Sequence, residues 1–144
     1  MTTKTKPVLG WREWVALPDF GIERIKAKVD TGARTSALHA FNLETFDENG
    51  QRMVRFKMHP IQNRTDKIIE CVAKVVDERD VTDSGGHTEK RLVIKTTVQI
   101  GNDKRRVEMT LTDRDNMLFR MLLGRTAVRP HYVIDPNKSF LTDA

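Results

Sequence analysis

Among the residues that could do chemistry, one acidic turn has the most informative surroundings: Asp30-Thr31-Gly32. The run from Ile25 to Val29 alternates like a strand and would deliver the Asp30 carboxylate into a turn that Gly32 permits. A carboxylate presented in this way can act as a general acid or base. The same residues also suit an Asx turn, in which Asp accepts hydrogen bonds from backbone N–H groups for structural reasons alone. Taken by itself, the turn leaves both interpretations open.

The other reactive side chains form weaker patterns. The candidate metal ligands are His39, His59, His87, His131 and Cys71, and none of them forms a His-x-x-x-His or Cys-x-x-Cys pair. We therefore expect no metal and no cofactor, although loss of activity on chelation would favour a zinc hydrolase. Cys71 lies inside a strand-like run, which predicts a buried, inert thiol.

A second motif follows about 90 residues after the first: the apolar run Met121-Leu-Leu-Gly-Arg125. Together with Ala27-Lys-Val-Asp-Thr-Gly-Ala33, it resembles the retropepsin-like aspartic peptidases. The fuller string from Lys28 to Ala40 is similar to a bacterial branch of that family, associated with RimK-like ligases and formerly labelled ATP-dependent zinc proteases. The resemblance covers about Trp11 to Val133. It implies an all-β, closed retropepsin-like barrel with a short helix after the Leu-Leu-Gly-Arg strand.

The resemblance also implies how Asp30 would work. Hydrolysis by carboxylates needs two of them sharing one proton, and this chain has one Asp-Thr-Gly, so a homodimer would supply Asp30 twice. By resemblance, Gly32 allows the tight turn and the Thr31 hydroxyl bonds across the dimer. Ala33 cannot donate a hydrogen bond to the carboxylate, so we expect the shared proton to be retained closer to cytoplasmic pH.

Two arginines suggest the substrate. Retroviral relatives commonly have an acidic residue where this chain has Arg34, and that residue pairs with the arginine corresponding to Arg125. Here the two cations would repel each other, so we expect Arg125 to pair with Asp113 or Asp115. Arg34 either faces substrate carboxylates or pairs with a local acid. With the basic surface, this favours an acidic peptide substrate. The resemblance adds a RimK-like ATP-grasp ligase, or its glutamylated ribosomal-protein target, as a possible partner.

Retropepsins cover their substrate with a hairpin flap, and the turn Ser84-Gly85-Gly86 is the candidate here, since glycines permit opening. An ordinary exposed hairpin is the alternative. The segment from Tyr132 to Phe140 is a weaker candidate for a dimer contact.

The elements that must position these residues are strands. Turn signals recur every eight to twelve residues, among them Asp47-Glu-Asn-Gly50, and the pattern favours a barrel or sandwich. Strand-like runs span residues 22–29, 35–43, 52–58, 68–76, 91–100, 106–111, 117–123 and 132–134, with one helical turn at 125–128. In the second run, Leu38 and Ala40 should alternate with His39 and Phe41. We expect a flexible tail over residues 1–9 and a single domain over residues 10–144.

Composition limits the remaining function classes. The chain has 25 Lys and Arg against 20 Asp and Glu, a formal charge of +5. The opposite charges are interspersed and the longest basic run is Lys104-Arg105-Arg106, so we do not expect nucleic acid as a partner. Without a long apolar run or a second cysteine, we expect a cytoplasmic location and no membrane contact. A dimeric aspartic peptidase is the favoured function, and a non-catalytic binding or regulatory module for a glutamate ligase or acidic partner is the alternative.

Overall fold

A computed structural model describes residues 6–61, 66–82, 85–113, 119–129 and 131–142. Nearly all regular structure in these ranges is β. The strands are β1 (Val8–Leu9), β2 (Arg12–Leu17), β3 (Ile22–Asp30), β4 (Ser36–His39), β5 (Phe41–Glu48), β6 (Gln51–Met58), β7 (Ile69–Thr82), β8 (Thr88–Ile100), β9 (Asp103–Thr112), β10 (Met121–Gly124) and β11 (Val133–Ile134). A 3₁₀ turn (Pro18–Phe20) joins β2 to β3, and the helix α1 (Arg125–Val128) follows β10.

Six strands close into a ring. The main sheet has the order β2-β3-β10-β4-β9-β8-β7-β6-β5, and β2 also pairs with β8 through Ala16 and Gln99. The strands β7, β6 and β5 continue outward from β8 as an arm. The predicted all-β fold with one short helix after the Leu-Leu-Gly-Arg strand is therefore confirmed.

The core fills the inside of this ring. Strand β3 buries Ile25 and Ala27 on one face, as its alternation predicts. Large side chains from the other strands meet them with no more than 2% exposure, including Leu17, Leu38, Phe56, Ile94, Met109 and Leu123. The turn at Asn49-Gly50 takes positive φ at both residues, 53° and 78°, which explains the sharp β5–β6 hairpin.

One strand differs from its predicted pattern. The run from Thr35 to Leu43 divides into β4 and β5 at Ala40, and every residue from Ser36 to Ala40 is buried, including His39. Alternation between buried and exposed residues requires one face in solvent. The helix α1 packs against β4, and the rings of Phe41 and His59 stack with His39, so both faces of this strand are covered. The predicted alternation of Leu38 and Ala40 with His39 is therefore wrong, and His39 is buried.

The first and last described segments of the chain lie against each other. Strands β1 and β11 pair in parallel, and Leu9 is fully buried, so pairing extends back into the segment expected to be a tail. The buried Glu13 carboxylate accepts hydrogen bonds from the backbone N–H groups of Gly10 (2.6 Å), Leu141 (3.0 Å) and Thr142 (3.1 Å), and from the Thr142 hydroxyl (3.0 Å). A single carboxylate thus anchors the C-terminal segment to β2.

Candidate active site

Strand β3 ends at Asp30, and the turn that follows is an Asx turn. The Gly32 N–H donates to Asp30 Oδ1 over 3.1 Å, and the Ala33 N–H donates to the Asp30 carbonyl over 3.2 Å. No other hydrogen bond reaches the Asp30 carboxylate from the residues that the structure describes. Asp30 is half-buried, whereas Thr31 and Gly32 are exposed. The backbone therefore orients the carboxylate through Oδ1, and Oδ2 accepts no hydrogen bond from the described residues.

The two sequence motifs meet at this turn. Strand β10 pairs in parallel with β3, in a register that places Gly124 opposite Asp30. Three residues of the second motif and its helix then bind the loop after Asp30 through their N–H groups: Gly124 to Ser36 Oγ (3.0 Å), Arg125 to Ala33 O (2.8 Å) and Thr126 to Arg34 O (3.1 Å). The Thr126 hydroxyl adds a second bond to Arg34 O, at 2.8 Å.

Gly124 has a steric role in this junction. A Cβ placed on it would lie 2.5 Å from the Thr35 carbonyl carbon and 2.8 Å from Ser36 N. Its backbone is extended, with φ −78° and ψ 167°, a conformation that any residue can adopt. Glycine is therefore required here because two backbones approach closely, and not because of the turn geometry.

A cationic depression of about 550 Å³ adjoins the Asp30 loop and is lined by Arg34, Arg125, Thr126 and Arg129. Arg125 Nη1 donates to the Gly32 carbonyl over 3.4 Å. Among the described residues, no carboxylate oxygen lies within 4.0 Å of any of these three guanidinium groups. The depression next to the Asp30 loop thus carries three positive charges, none of them ion-paired with a carboxylate of the described part of the chain.

These contacts bear on the predicted partner of Arg125, which was Asp113 or Asp115, and exclude the first of the two. Arg125 does not pair with Asp113, whose Oδ1 lies 4.0 Å from His39 Nε2, and Asp115 is outside the described residues. Arg129 was missed from the sequence, although it follows Arg125 by four residues, the spacing that puts two side chains on one helical face. Ser36 and Thr126 were also missed, since nothing in the short polar run around either residue signals its contact.

The candidate flap is part of the β7–β8 hairpin. Gly85 and Gly86 lie in its turn and Gly86 has φ +84°, while Ser84 is outside the described residues. The guanidinium of Arg79, on β7, forms a bidentate pair with Glu108 on β9, at 2.9 and 3.3 Å. The hairpin is present, and its role as a cover for the site stays a prediction.

The remaining candidate groups do not come together. Within the described ranges, no three His, Cys, Asp or Glu side chains are placed to hold a metal ion. Cys71 is buried, as predicted, and burial raises the pKa of its thiol to about 11, which keeps it protonated. No helix among the described residues is long and apolar enough to cross a membrane.

Comparison with known proteins adds a family and several relatives. The family described as "RimB-like: Retropepsin-like aspartic endopeptidase RimB" matches residues 8–144. Two proteins named "Probable alpha-L-glutamate ligase", from Shewanella pealeana and Shewanella halifaxensis, are each 47% identical over 135 residues, which is 94% of this chain and 30% of theirs. One from Desulfotalea psychrophila is 41% identical over 131 residues, 91% of this chain and 28% of its own. The chain therefore spans less than a third of these relatives.

A solved structure has the same fold. It belongs to the protein Lpg0085 of Legionella pneumophila, described as having unknown function, and is 26% identical to this chain with a TM-score of 0.81. The match covers 96% of this chain and 100% of that one.

Proposed function

Because the chain belongs to the RimB-like family of retropepsin-like aspartic endopeptidases, we propose that it is an aspartic peptidase whose catalytic group is Asp30. Its reaction is the hydrolysis of peptide or isopeptide bonds in acidic peptides, including glutamylated ones. The observation that carries this proposal is the pairing of Gly124 with Asp30, which joins the two family motifs into one loop junction.

The reaction requires two Asp30 carboxylates, one from each of two copies of the chain. Like charges about 3 Å apart do not both ionise, so the pair holds one proton. The ionised carboxylate takes a proton from the attacking water, and the protonated one donates to the carbonyl oxygen of the scissile bond. As the tetrahedral intermediate collapses, the carboxyl group that took the water proton donates it to the leaving nitrogen and the C–N bond breaks. A hydroxyl of the intermediate returns its proton to the other carboxylate as the carbonyl re-forms, which restores the singly protonated pair.

A homodimer is the simplest way to form this pair, since a two-fold axis brings identical loops together. Thr31 and Gly32 are the exposed tip of the loop, and they are available for contact with a second copy. In the proposed dimer, the Thr31 hydroxyl bonds across the axis, while Ala33 leaves the carboxylate without a side-chain donor. The flexibility of Gly85 and Gly86 would let the β7–β8 hairpin close over the bound peptide.

The cationic depression determines the proposed substrate class. Guanidinium groups bind carboxylates in bidentate fashion, and Arg34, Arg125 and Arg129 line a single depression beside Asp30. Arg125 is the best positioned, through its bond to Gly32 O. Peptides with several acidic residues satisfy these charges, whereas neutral peptides leave them without counter-charge.

The proposed partner follows from the relatives. Each of those compared is named a probable alpha-L-glutamate ligase and contains a segment similar to this chain. A ligase of this kind produces glutamyl chains, which are acidic substrates of the proposed class. We place this chain in the cytoplasm with a RimK-like ligase or its glutamylated protein product as the partner.

Substitution of the proposed catalytic residue tests the function. Asp30→Asn should abolish hydrolysis of a fluorogenic polyglutamyl peptide while circular dichroism and sedimentation stay as in the wild type. The matched control is Asp47→Asn, an exposed residue of the β5–β6 hairpin, which should keep full activity. An active Asp30→Asn chain would refute the peptidase. If the wild type binds the peptide in a salt-sensitive way without turnover, and Asp30→Asn binds equally well, the chain is a binding module instead.

A further inference from the structure

A second depression, of about 250 Å³, adjoins the first at Thr126 of α1. It is lined by Lys104, Arg105, Arg106, Val107, Thr126, Ala127 and His131. Thr126 also lines the depression beside Asp30, so the two depressions share a wall. The longest basic run of the sequence, which the proposed function does not use, therefore adjoins the candidate active site.

The three basic residues of this run differ in how they are held. The Arg106 guanidinium donates to Asp19 Oδ2 (2.8 Å) and to the Lys95 carbonyl (3.0 Å), so it is already occupied. Arg105 donates to Asp103 Oδ2 over 2.9 Å through Nε alone, and its two terminal nitrogens have no hydrogen-bond acceptor among the described residues, so they can still bind an anion. Lys104 is exposed, and within the described ranges no carboxylate oxygen lies within 4.0 Å of its ammonium group.

Arg105 is held by a chain of contacts that fixes its position. Asp103 accepts a 2.6 Å hydrogen bond from the Tyr132 hydroxyl, and this bond, with help from Arg105, holds the pKa of Asp103 below its usual range. The carboxylate is therefore ionised and clamped between Tyr132 and Arg105. A guanidinium held in this way loses less freedom when it binds an anion than a mobile one does.

We propose that the second depression binds acidic residues of the same substrate at a distance from the scissile bond. The inference rests on the proposed function. An acidic peptide bound in the first depression continues past the shared Thr126 and places carboxylates against Lys104 and Arg105. A volume of 550 Å³ is about 8 Å across and an extended chain advances about 3.3 Å per residue, so about three residues fill the first depression and about five or more are needed to enter the second. Substrates shorter than this do not reach the second depression.

An acidic peptide fits this surface better than single-stranded nucleic acid does. Proteins that bind single strands stack bases on aromatic side chains beside their cations. Neither lining contains Phe, Tyr or Trp. Carboxylates need only the cations, and both linings lack Asp and Glu.

Binding to a catalytically inactive chain gives the sharpest test. In the Asp30→Asn background, fluorescence anisotropy would measure the affinity for labelled peptides of four and twelve glutamates. Lys104→Gln with Arg105→Gln should weaken binding of the 12-mer about tenfold and leave the 4-mer unchanged. The matched control is Lys74→Gln with Arg52→Gln, an exposed pair on the β6–β7 arm that removes the same charge.

The possible results distinguish a failure of the second binding site from a failure of the proposed peptidase function. Equal loss of 12-mer affinity in both double variants, or no loss in either, would overturn the second depression as a binding site. A twelve-nucleotide single strand that binds more tightly than the 12-mer and depends on Lys104 and Arg105 would also overturn the peptide assignment. In the chain with Asp30 intact, the double variant should raise KM for the 12-mer and leave kcat alone. Failure of the intact chain to hydrolyse any peptide would refute the proposed function, while the binding result would still decide the second depression.

Discussion

Replacing Gly124 with alanine adds one methyl group at the junction of β10 with the Asp30 loop. The new Cβ would meet Thr35 C at 2.5 Å and Ser36 N at 2.8 Å, about 1 Å closer than an ordinary van der Waals contact. The extended backbone at Gly124 accepts alanine without strain, so the whole effect comes from this crowding. Both neighbouring atoms are backbone, and no side-chain rotation can relieve the contact.

The size of the effect follows from what must move. Overpacking of this kind costs about 1–3 kcal/mol. Separating the two backbones also weakens the bonds from Gly124 N to Ser36 Oγ and from Arg125 N to Ala33 O, each worth about 1 kcal/mol. We therefore expect a loss of roughly 3 kcal/mol in the free energy of unfolding. Because a shift of about 1 Å in a catalytic group can cost about a hundredfold in rate, kcat should fall by about that factor.

Urea denaturation followed by fluorescence would measure the stability, and hydrolysis of an acidic peptide would measure kcat. Gly50→Ala is the informative control, because no atom lies within 4 Å of its Cβ position but its φ is +78°. That variant should lose only about 1 kcal/mol through backbone strain and keep its activity. If Gly124→Ala were as stable as the wild type, or less damaged than Gly50→Ala, the close approach would be refuted.

Two other residues allow predictions away from the Asp30 loop. Glu13→Gln should lower the free energy of unfolding by about 3 kcal/mol, because an amide cannot accept all the hydrogen bonds that the buried carboxylate accepts. Amide exchange at Leu141 and Thr142 should then accelerate, whereas exposed Glu23→Gln should have little effect. The Asp103 carboxylate should make the free energy of unfolding depend on pH in the acid range. Its pKa is lowered in the folded state, chiefly by the Tyr132 hydroxyl, so its stabilising contribution is present above about pH 4 and is lost as the pH falls through the folded pKa. Asp103→Asn should therefore be less stable than the wild type in urea at pH 7, and the gap should narrow at pH 3. A gap of constant size would contradict this.

The sequence predicts the strands well where one face meets solvent. In β3, Ile25 and Ala27 alternate with polar residues because only one side of the strand packs inside the ring. The same reasoning fails for β4, since α1 packs against it and the rings of Phe41 and His59 stack with His39, which buries both sets of alternating residues. Closure depends on contacts between distant segments, such as Ala16 with Gln99, which no local pattern contains.

The candidate site, too, was predictable only in part. The meeting of Asp30 with Gly124 was predictable, because both motifs belong to one family pattern. The contacts that surround the junction were not, because they depend on geometry between elements: the Ser36 hydroxyl accepts from a strand that begins 85 residues later, at Met121. The expected partner of Arg125 was Asp113 or Asp115; Asp113 does not pair with it, and Asp115 lies outside the described residues. Arg125 donates instead to the Gly32 carbonyl, and backbone acceptors leave no signal in a sequence.

The pairing of β1 with β11 makes the chain suitable for circular permutation. Val8 lies beside Val133, and Glu13 fastens Leu141 and Thr142 to β2, so a short linker could join the two ends without crossing the ring. New ends could be opened between Asn49 and Gly50, in a turn at the outer edge of the sheet. A permuted chain of this kind would keep the Asp30 junction intact and place its new ends at the edge of the main sheet that β5 forms. There, a fused reporter or partner would be joined to β5 and β6 and not to the strands that hold Asp30.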